Sequence, residues 1–482
     1  MNLGELCKGL MSVPAGCGEL EVSQVVCDSR QAAAGSLFLA VPGEATDGIR
    51  FAEEAVKNGA VAVVAPRGGR GEATLDVPIL EVEDLRSAMG VIADRFYGEP
   101  SKKLEIVGVT GTKGKTTTVW LLDHLFSSTG SLTGFCSTVE NRIGEESSEA
   151  KNTTMGCLDL HRFLADLVDR GGERAVIEVS SHALEQQRTA SIRFDCAVFT
   201  NLAPEHLDYH QDMKSYLAAK MKLFSTLDSH AYAVLPRSQE VSDEIAGSTR
   251  ANLSWYGCGS EDGVTGIRIL DEGIAFTWRD CPFRTSFWGE HNLENLLAVL
   301  SAGECMGLKA DEMAAAISGA RLPPGRLEKI DHPGPYKVVV DYAHTDGALD
   351  AVLEALRPVT PGRLITIFGC GGDRDTAKRP RMGKAAERGS DRIILTSDNP
   401  RGEPPEKILS EIMAGLEKPE EATLETDRRA AIGLGIRMAR EGDTVLIAGK
   451  GHEDYQEFSD RERIHFDDRE VAREFLEEVC QV

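Results

Sequence analysis

The stretch Leu104–Thr118, LEIVGVTGTKGKTTT, decides the fold. Its first half is a short apolar, β-branched run of the kind that forms a buried strand. Its second half is a glycine loop that runs into a helix predicted from about Lys115 to Phe126. A strand feeding a glycine loop that opens a helix aims backbone N–H groups and the helix dipole at anionic oxygen. Lys115 can neutralise β/γ-phosphate charge, and the Thr116 hydroxyl can ligate Mg²⁺. The strict pattern G-x-x-x-x-G-K-S/T departs at its first position, where Val109 replaces glycine. Gly111, Thr112, Lys113, Gly114, Lys115, Thr116 and Thr117 are therefore read as a nucleotide-binding loop. A glycine turn with a chance lysine would leave the strand–loop–helix setting unexplained.

Outward from this loop, short apolar runs alternate with helical patterns nearly throughout, the signature of α/β domains with mostly parallel sheets. Upstream, GSLFLAV and AVAVVAP read as strands around the helix FAEEAVKNG, closed by Gly59. Turn residues at Tyr97–Ser101 mark a first boundary, and Pro323-Pro324-Gly325 a second. Downstream, RAVIEVS and FDCAVFTNL continue the central block. YKVVVDY, RLITIFG, DRIILTSD and DTVLIAG alternate with helices in the last, which closes with a helix near Asp468–Val479. Three α/β domains are expected, at 1–99, 100–325 and 326–482.

At 482 residues the chain is too long for one core. A net charge of −24 repels nucleic acid and anionic membrane alike, while leaving room for a local phosphate site. Eleven scattered cysteines, without a CxxC pair or zinc-ligand spacing, suit a reducing compartment. The opening MNLGELCKGLMSV has an early acid and no long apolar stretch, so neither a signal peptide nor a membrane span is expected. The expected location is the cytoplasm.

Three further segments carry chemistry. In AVIEVSSHALEQQR, Glu178 ends a buried-looking strand beside the phosphate loop, a natural Mg²⁺ ligand position; alone, a strand-end Glu is more often solvated. In HLDYH, His206, Asp208 and His210 precede a helix carrying Lys214, Lys220 and Lys222. The residues suggest either a metal site or polar capping of that helix, and histidine is not a preferred Mg²⁺ ligand. In the last block, three loops after predicted strands bring Arg374, Lys378, Arg379, Arg401 and Lys450 together with Asp398, Glu453 and Asp454. Guanidinium forks and acids on adjacent strand ends suit a zwitterionic ligand, against a solvated-surface reading for any one loop.

Taken in order, TGTKGKTTT (Thr110–Thr118), NTT (Asn152–Thr154), EVSSHALEQQR (Glu178–Arg188), HLDYH (His206–His210), YLAAK (Tyr216–Lys220), HNLEN (His291–Asn295), PGRLE (Pro324–Glu328), DYAHT (Asp341–Thr345), GCGGDRD (Gly369–Asp375), DNPR (Asp398–Arg401) and GKGHE (Gly449–Glu453) resemble the Mur ligase family along the whole chain. The resemblance implies a small N-terminal α/β domain for a UDP-linked substrate, a central P-loop ATPase-like domain with a mostly parallel sheet, and a C-terminal Rossmann-like domain for an amino acid. It implies that Ser29 and Arg30, in the DSR run, bind the uridine end. Asn152, Thr153, Thr154, Ser180 and Arg188 would hold the muramoyl-peptide part. Asn292, Asn295, Arg326 and Asp341 would serve ATP, and Thr116, Glu178, His206 and Lys220 would serve the metal, Lys220 as an N6-carboxylysine. An ammonium cannot ligate a cation, whereas a carbamate can. Lys115, Lys220, His206 and Glu178 would be the catalytic residues. Two departures stand out: DYAHT continues as Asp346-Gly347 where Pro-Asp is usual, and NTT runs on as Met155-Gly156.

The implied activity is ATP-dependent addition of an amino acid to UDP-N-acetylmuramoyl-L-Ala-D-Glu through an acyl phosphate, in peptidoglycan precursor synthesis, by a cytoplasmic monomer with ATP and Mg²⁺. The domain layout implies closure about Pro324-Gly325-Arg326. Arg401 in Asp398-Asn399-Pro400-Arg401 points to meso-diaminopimelate, because lysine lacks the carboxylate that an arginine fork would pair. Arg374 would be a second carboxylate partner, and Gly449 with Glu453 would take the distal ammonium. Three rivals remain. A folylpolyglutamate-synthetase-like ligase would need neither DSR nor DNPR, a P-loop regulatory protein would hydrolyse ATP without an acceptor, and a lysine-adding ligase would lack Arg401.

Overall fold

The protein is described by a computed structural model over residues 1–43, 47–69, 75–459 and 462–480, without the side chains of Asp208 and Cys480. Asp208, named in the sequence reading, and Cys480, one of the eleven cysteines, therefore lie outside the side-chain account. The chain divides into two compact units, residues 1–256 with 301–307, and residues 257–300 with 308–482.

The first unit holds two sheets. β1 (Gln24–Val26), β2 (Ser36–Leu39), β3 (Ala60–Pro66) and β4 (Ile79–Val82) pair in parallel and in chain order. Their apolar residues are buried, as expected when helices cover a parallel sheet. The second sheet contains β5 (Glu105–Thr110), β6 (Thr133–Cys136), β7 (Glu140–Ile143), β8 (Glu146–Glu149), β9 (Arg174–Glu178), β10 (Cys196–Phe199), β11 (Tyr232–Pro236) and β12 (Asn252–Tyr256). Its order is β12-β11-β10-β5-β9-β6-β7-β8, parallel from β12 to β6 and extended by an antiparallel β7–β8 edge. β5 therefore sits between β10 and β9, buried from Ile106 to Thr110. The loop after it points out of the sheet's middle, where α/β sheets bind ligands. The helix Leu85–Phe96 docks the first sheet onto the second: Arg86 donates to Gln186 O at 3.3 Å, and Gln187 donates to Asp84 at 3.0 Å.

The second unit contains an antiparallel meander that the sequence reading did not anticipate, β13 (Val264–Leu270), β14 (Gly273–Trp278) and β15 (Cys281–Thr285). Its main sheet contains β16 (Glu328–Lys329), β17 (Lys337–Asp341), β18 (Leu364–Phe368), β19 (Arg392–Leu395), β20 (Thr423–Leu424) and β21 (Thr444–Ala448), in the order β16-β17-β21-β18-β19-β20. All pairs but β16–β17 are parallel. A hairpin of β22 (Tyr455–Glu457) and β23 (Arg463–His465) follows. Helices Asp346–Leu356 and Lys378–Gly389 bury one face of the main sheet, and Arg428–Met438 and Asp468–Cys480 the other. Thr345 caps the helix starting at Asp346 by accepting from Ala348 N at 3.3 Å, so Asp346-Gly347 opens a normal helix despite the missing proline. No helix of the described residues is long and apolar enough to cross a membrane.

Candidate functional site

In the first unit the strand continues through Thr110. Val109 is wholly buried there and stands opposite Glu178 of β9, which is why no glycine is needed at that position. Gly111 (φ +147°) and Gly114 (φ +84°) make the turn in conformations that L side chains rarely adopt. A Cβ on Gly111 would fall inside contact distance of Thr200 Oγ1 and 3.0 Å from Asn201 N. The loop is clamped by two residues the sequence reading assigned no role. Asn201 O and Oδ1 accept from Thr112 N (2.8 Å) and Lys113 N (2.9 Å), while Thr200 Oγ1 donates to Lys113 O at 2.7 Å. The first-turn amides at Lys115, Thr116 and Thr117 have no intrahelical acceptor and face forward. Lys115 Nζ folds back onto Thr112 O at 2.7 Å. This is a cradle of N–H groups and one cation, suited to a polyphosphate.

Beside it, Glu178 is 2% exposed and accepts from Thr116 Oγ1 (3.0 Å), Thr138 N (3.0 Å) and Thr138 Oγ1 (3.1 Å). The carboxylate is held by neutral donors, and its neighbours offer only hard oxygen, the donor set a Mg²⁺ ion takes when phosphate oxygens and water complete its shell. Among the described residues no group of three or more His, Cys, Asp or Glu is arranged to hold a metal. Thr116 and Glu178 are the two side-chain oxygen donors that this side of the loop offers a cation. His206, left-handed at φ +55°, packs edge-on to His182 (4.9 Å) and Tyr216 (6.3 Å); no described contact joins it to Glu178. Lys220 is 1% exposed, donates to Gly111 O at 2.6 Å and lies 4.2 Å from the centre of the Tyr216 ring. Burial first, and then the charge of Lys115, pushes its pKa well below the ordinary lysine value.

The NTT and EVSSH segments meet directly. Thr154 is fully buried, donates to Glu178 O at 2.7 Å and accepts from Ser180 N at 3.0 Å. Arg188 donates to Thr154 O at 2.9 Å, and Gln186 holds its fork. Thr153 reaches Thr138 Oγ1 at 3.2 Å, while Asn152 is exposed. Ser29 is buried, donating to Glu54 at 2.5 Å, while the exposed Arg30 is folded onto Asp28. No described contact joins either to the Thr154 group.

In the second unit, Asp341 ends β17 and accepts from Leu327 N and Ala343 N, both at 2.7 Å. Burial raises its pKa. Arg326 lies over the Tyr342 ring at 4.6 Å. Asn292 donates to Trp288 O at 2.9 Å, with Asn295 beside it. The loops after β19 and β21 interlock. Asn399 Oδ1 accepts from Lys450 Nζ (3.1 Å) and Glu457 N (3.0 Å), and Asn399 Nδ2 donates to Glu453 Oε2 (3.1 Å). Pro400 is buried, and Asp398 nearly so. Burial raises the Glu453 pKa, Lys450 opposes that shift and Asp398 adds to it.

Two side chains differ from the sequence reading. Arg401 is not a free fork: Nε donates to Glu457 at 2.8 Å and Nη1 to Gly372 O at 2.9 Å, with the backbone left-handed at φ +49°. Arg379 is fully buried on Glu403, Glu411 and Gly371 O, which makes it a structural ion pair rather than a ligand arm. Arg374 remains exposed.

Residues 21–97 match the family described as Mur ligase family, catalytic domain. Residues 109–303 match the Mur ligase middle domain, and 325–451 the Mur ligase glutamate ligase domain. The UDP-N-acetylmuramoyl-L-alanyl-D-glutamate--2,6-diaminopimelate ligase of Solibacter usitatus (strain Ellin6076) is 41% identical, covering 99% of this chain and 98% of that protein. The same-named protein of Geobacillus kaustophilus (strain HTA426) is 41% identical over 96% of each. A solved structure of a ligase of that name superposes with a TM-score of 0.75 at 31% identity, covering 100% of both chains. A Mycobacterium tuberculosis folylpolyglutamate synthase complexed with ADP shares the fold alone, with a TM-score of 0.62 at 19% identity over 76% of this chain and 92% of that one. The sheets, the phosphate loop and the full-length similarity agree: the chain has the three-domain α/β architecture of the Mur ligases and belongs to the Mur ligase family.

Proposed function

We infer that this chain is an ATP-dependent ligase that adds meso-2,6-diaminopimelate to UDP-N-acetylmuramoyl-L-alanyl-D-glutamate in peptidoglycan precursor synthesis. The observation that carries this reading is the 41% identity, across 99% of the chain, to a ligase named for that reaction.

A carboxylate does not condense with an amine in water without activation. The substrate carboxylate takes the γ-phosphoryl group of ATP, giving an acyl phosphate and ADP. The amino group of diaminopimelate then attacks the acyl carbon, the C–O bond to phosphate breaks, the amine loses its proton and inorganic phosphate leaves. Amides of the Gly111–Thr117 loop and Lys115 bind the polyphosphate and balance charge on the transferring group, so positioning and electrostatics carry most of the rate. Mg²⁺, when bound, supplies further charge neutralisation; Thr116, Glu178, His206 and Lys220 as its carbamate are proposed to hold it. The depressed pKa of Lys220 supports that modification, because only the neutral amine takes up CO₂. Asn292, Asn295, Arg326 and Asp341 are proposed as further nucleotide-binding residues. Ser29, Arg30, Asn152, Thr153, Thr154, Ser180 and Arg188 are proposed for the UDP-linked substrate. Arg374, Asp398, Asn399, Pro400, Arg401, Gly449 and Glu453 are proposed for diaminopimelate. The domains run over 1–99, 100–325 and 326–482 in this reading, and the enzyme works as a cytoplasmic monomer.

The test is phosphate release from ATP and Mg²⁺ with the nucleotide-peptide, comparing meso-diaminopimelate with L-lysine. Release that needs the nucleotide-peptide and prefers diaminopimelate is expected. A preference for lysine removes the amino-acid assignment, and release independent of the nucleotide-peptide removes the ligase assignment.

A further inference from the structure

The helix Arg428–Met438 opens with a residue of the wrong sign for its position. A helix N-terminus carries partial positive charge and disfavours a cation in its first turn, yet Arg428 stands there, 1% exposed. All three nitrogens of its fork donate hydrogen bonds. Nε and Nη2 each donate at 2.7 Å to the two carboxylate oxygens of Asp468, which is itself fully buried at the start of the helix Asp468–Cys480. Nη1 also donates to Ser397 O at 3.2 Å, and Nη2 to Ala448 O at 3.0 Å.

Desolvating two charges offsets most of what their attraction gains, so stability alone is a weak reason to bury this pair. What the fork reaches is more telling. Ser397 follows β19 and Ala448 ends β21, and β18 lies between those strands, so no ladder bond joins them. The next residues on one side are Asp398–Arg401, and on the other Gly449–Glu453. Arg428 ties the roots of both loops across the intervening strand. Above the tie, Gly449 (φ +120°) comes so close that a Cβ there would lie 2.7 Å from Asp398 Oδ2 and 3.9 Å from Arg428 Nη2. A lysine at 428 would offer one point charge and could not serve a bidentate carboxylate and two diverging carbonyls together.

We propose that the Arg428–Asp468 pair is a positioning device for amino-acid recognition: its guanidinium fixes loops 398–401 and 449–453 in the relative placement at which their polar groups receive a diamino dicarboxylic acid. The proposal rests on the amino-acid-binding role assigned to those loops above. Neither residue contacts substrate; both act through the Ser397 and Ala448 carbonyls.

Two variants of the full-length enzyme test it, Arg428→Lys and Asp468→Asn, with two readouts. In Arg428→Lys the KM for meso-diaminopimelate rises at least about 10-fold, the order expected when a binding group is displaced by a fraction of an ångström. The KM for the nucleotide-peptide stays within about 2-fold, because its proposed residues lie in the first unit, and the KM for ATP rises less than that for the amino acid, because Asp341 meets the tie only through its ladder pairing with Ala448. Hydrogen–deuterium exchange quickens at 398–401 and 449–453 but not at 111–118. Asp468→Asn keeps the side-chain shape and gives the same pattern more weakly, so it decides the matter if Arg428→Lys does not fold. A lowered melting temperature with wild-type KM for the amino acid and unchanged loop exchange would reduce the pair to a structural strut and overturn the proposal, as would a parallel rise of all three KM values. Failure of the wild-type enzyme to use diaminopimelate would overturn the functional reading instead, and the exchange comparison would still decide the tie.

Discussion

The phosphate loop and the amino-acid loops both sit at the ends of parallel strands, yet they are built from different material. The first is backbone: one contiguous run, 111–117, whose amides point forward because two glycines turn the chain and Thr200 and Asn201 clamp it. The second is side chain. Loops from three strands, β18, β19 and β21, are held by Asn399, Arg401, Lys450 and Arg428, each bonded to groups outside its own loop. A site made of amides should be sensitive to volume and φ. One made of charged side chains should be sensitive to donor geometry and tolerant of a methyl group.

A matched pair of glycine substitutions probes that contrast most strongly. Gly111→Ala puts a Cβ against Thr200 and Asn201 at φ +147°, where the neighbours are part of the clamp. The loop must shift, and a displacement of about 1 Å at phosphate costs on the order of 100-fold in turnover. Gly371→Ala meets first Arg401 Nη1, at 2.9 Å, the end of a side chain rather than backbone. Its expected cost is within about 5-fold, carried by the KM for the amino acid, since such a contact relieves itself by small side-chain movement. Steady-state phosphate release measures both. Equal losses at the two positions would mean that the loops respond alike to added volume, and the contrast would fail.

The same contrast explains what the sequence disclosed. LEIVGVTGTKGKTTT is legible because strand, turn and helix are each specified by adjacent residues; the strand and helix lie where the pattern puts them, and Val109 belongs to the strand. In the main sheet of the second unit β17, β18, β19 and β21 were legible for the same reason, whereas the two-residue strands β16 and β20 were not. The meander β13–β15 was not: its outer strand is largely exposed between Thr265 and Ile269, so no buried run marks it. Nor was Thr138, which gives Glu178 two of its hydrogen bonds from 40 residues away in a segment of ordinary loop composition. Arg428 and Asp468, 40 residues apart on two different helices, had no local signal beyond a cation at a helix start. Glu457, which claims half of Arg401, follows GKGHE by a few residues and reads as an ordinary exposed strand acid.

Arg401 gives the next prediction. Glu457 and Gly372 O hold its Nε and Nη1, so the fork is braced in a left-handed backbone and presents its remaining face in one direction. Arg401→Lys keeps the charge and loses the brace. The preference for meso-diaminopimelate over L-lysine, taken as a ratio of kcat/KM values, should fall about 10- to 50-fold, because a point charge pairs a carboxylate without fixing its plane. The KM for ATP should not move. An unchanged preference would shift discrimination to Arg374.

The smallest effect concerns stability rather than rate, and it separates buried charge from buried neutrality within the second unit. The imidazole of His452 is pushed down to about 4, first by burial, then by the charges of Arg326 and Arg469; Asp454 and Asp467 oppose the shift without reversing it. At neutral pH it is uncharged in folded and unfolded chain alike. Between about 6.5 and 4 the unfolded chain binds a proton that the folded one refuses, so this group's contribution is present above pH 6.5 and is lost as pH falls toward 4. The slope from one such group is at most about 1.4 kcal/mol per pH unit. His344, lowered chiefly by burial, acts in the same direction, whereas Asp341 and Glu453, raised by burial, act against it as pH climbs through the carboxylate range. The net curve of the wild type therefore cannot be assigned to one residue, but its difference from His452→Gln can. Urea midpoints measured from pH 7 to pH 4.5 should converge as pH falls, the wild type losing its advantage over a variant that has no proton to refuse. Parallel curves would mean that His452 titrates normally and that its burial leaves it reachable by water.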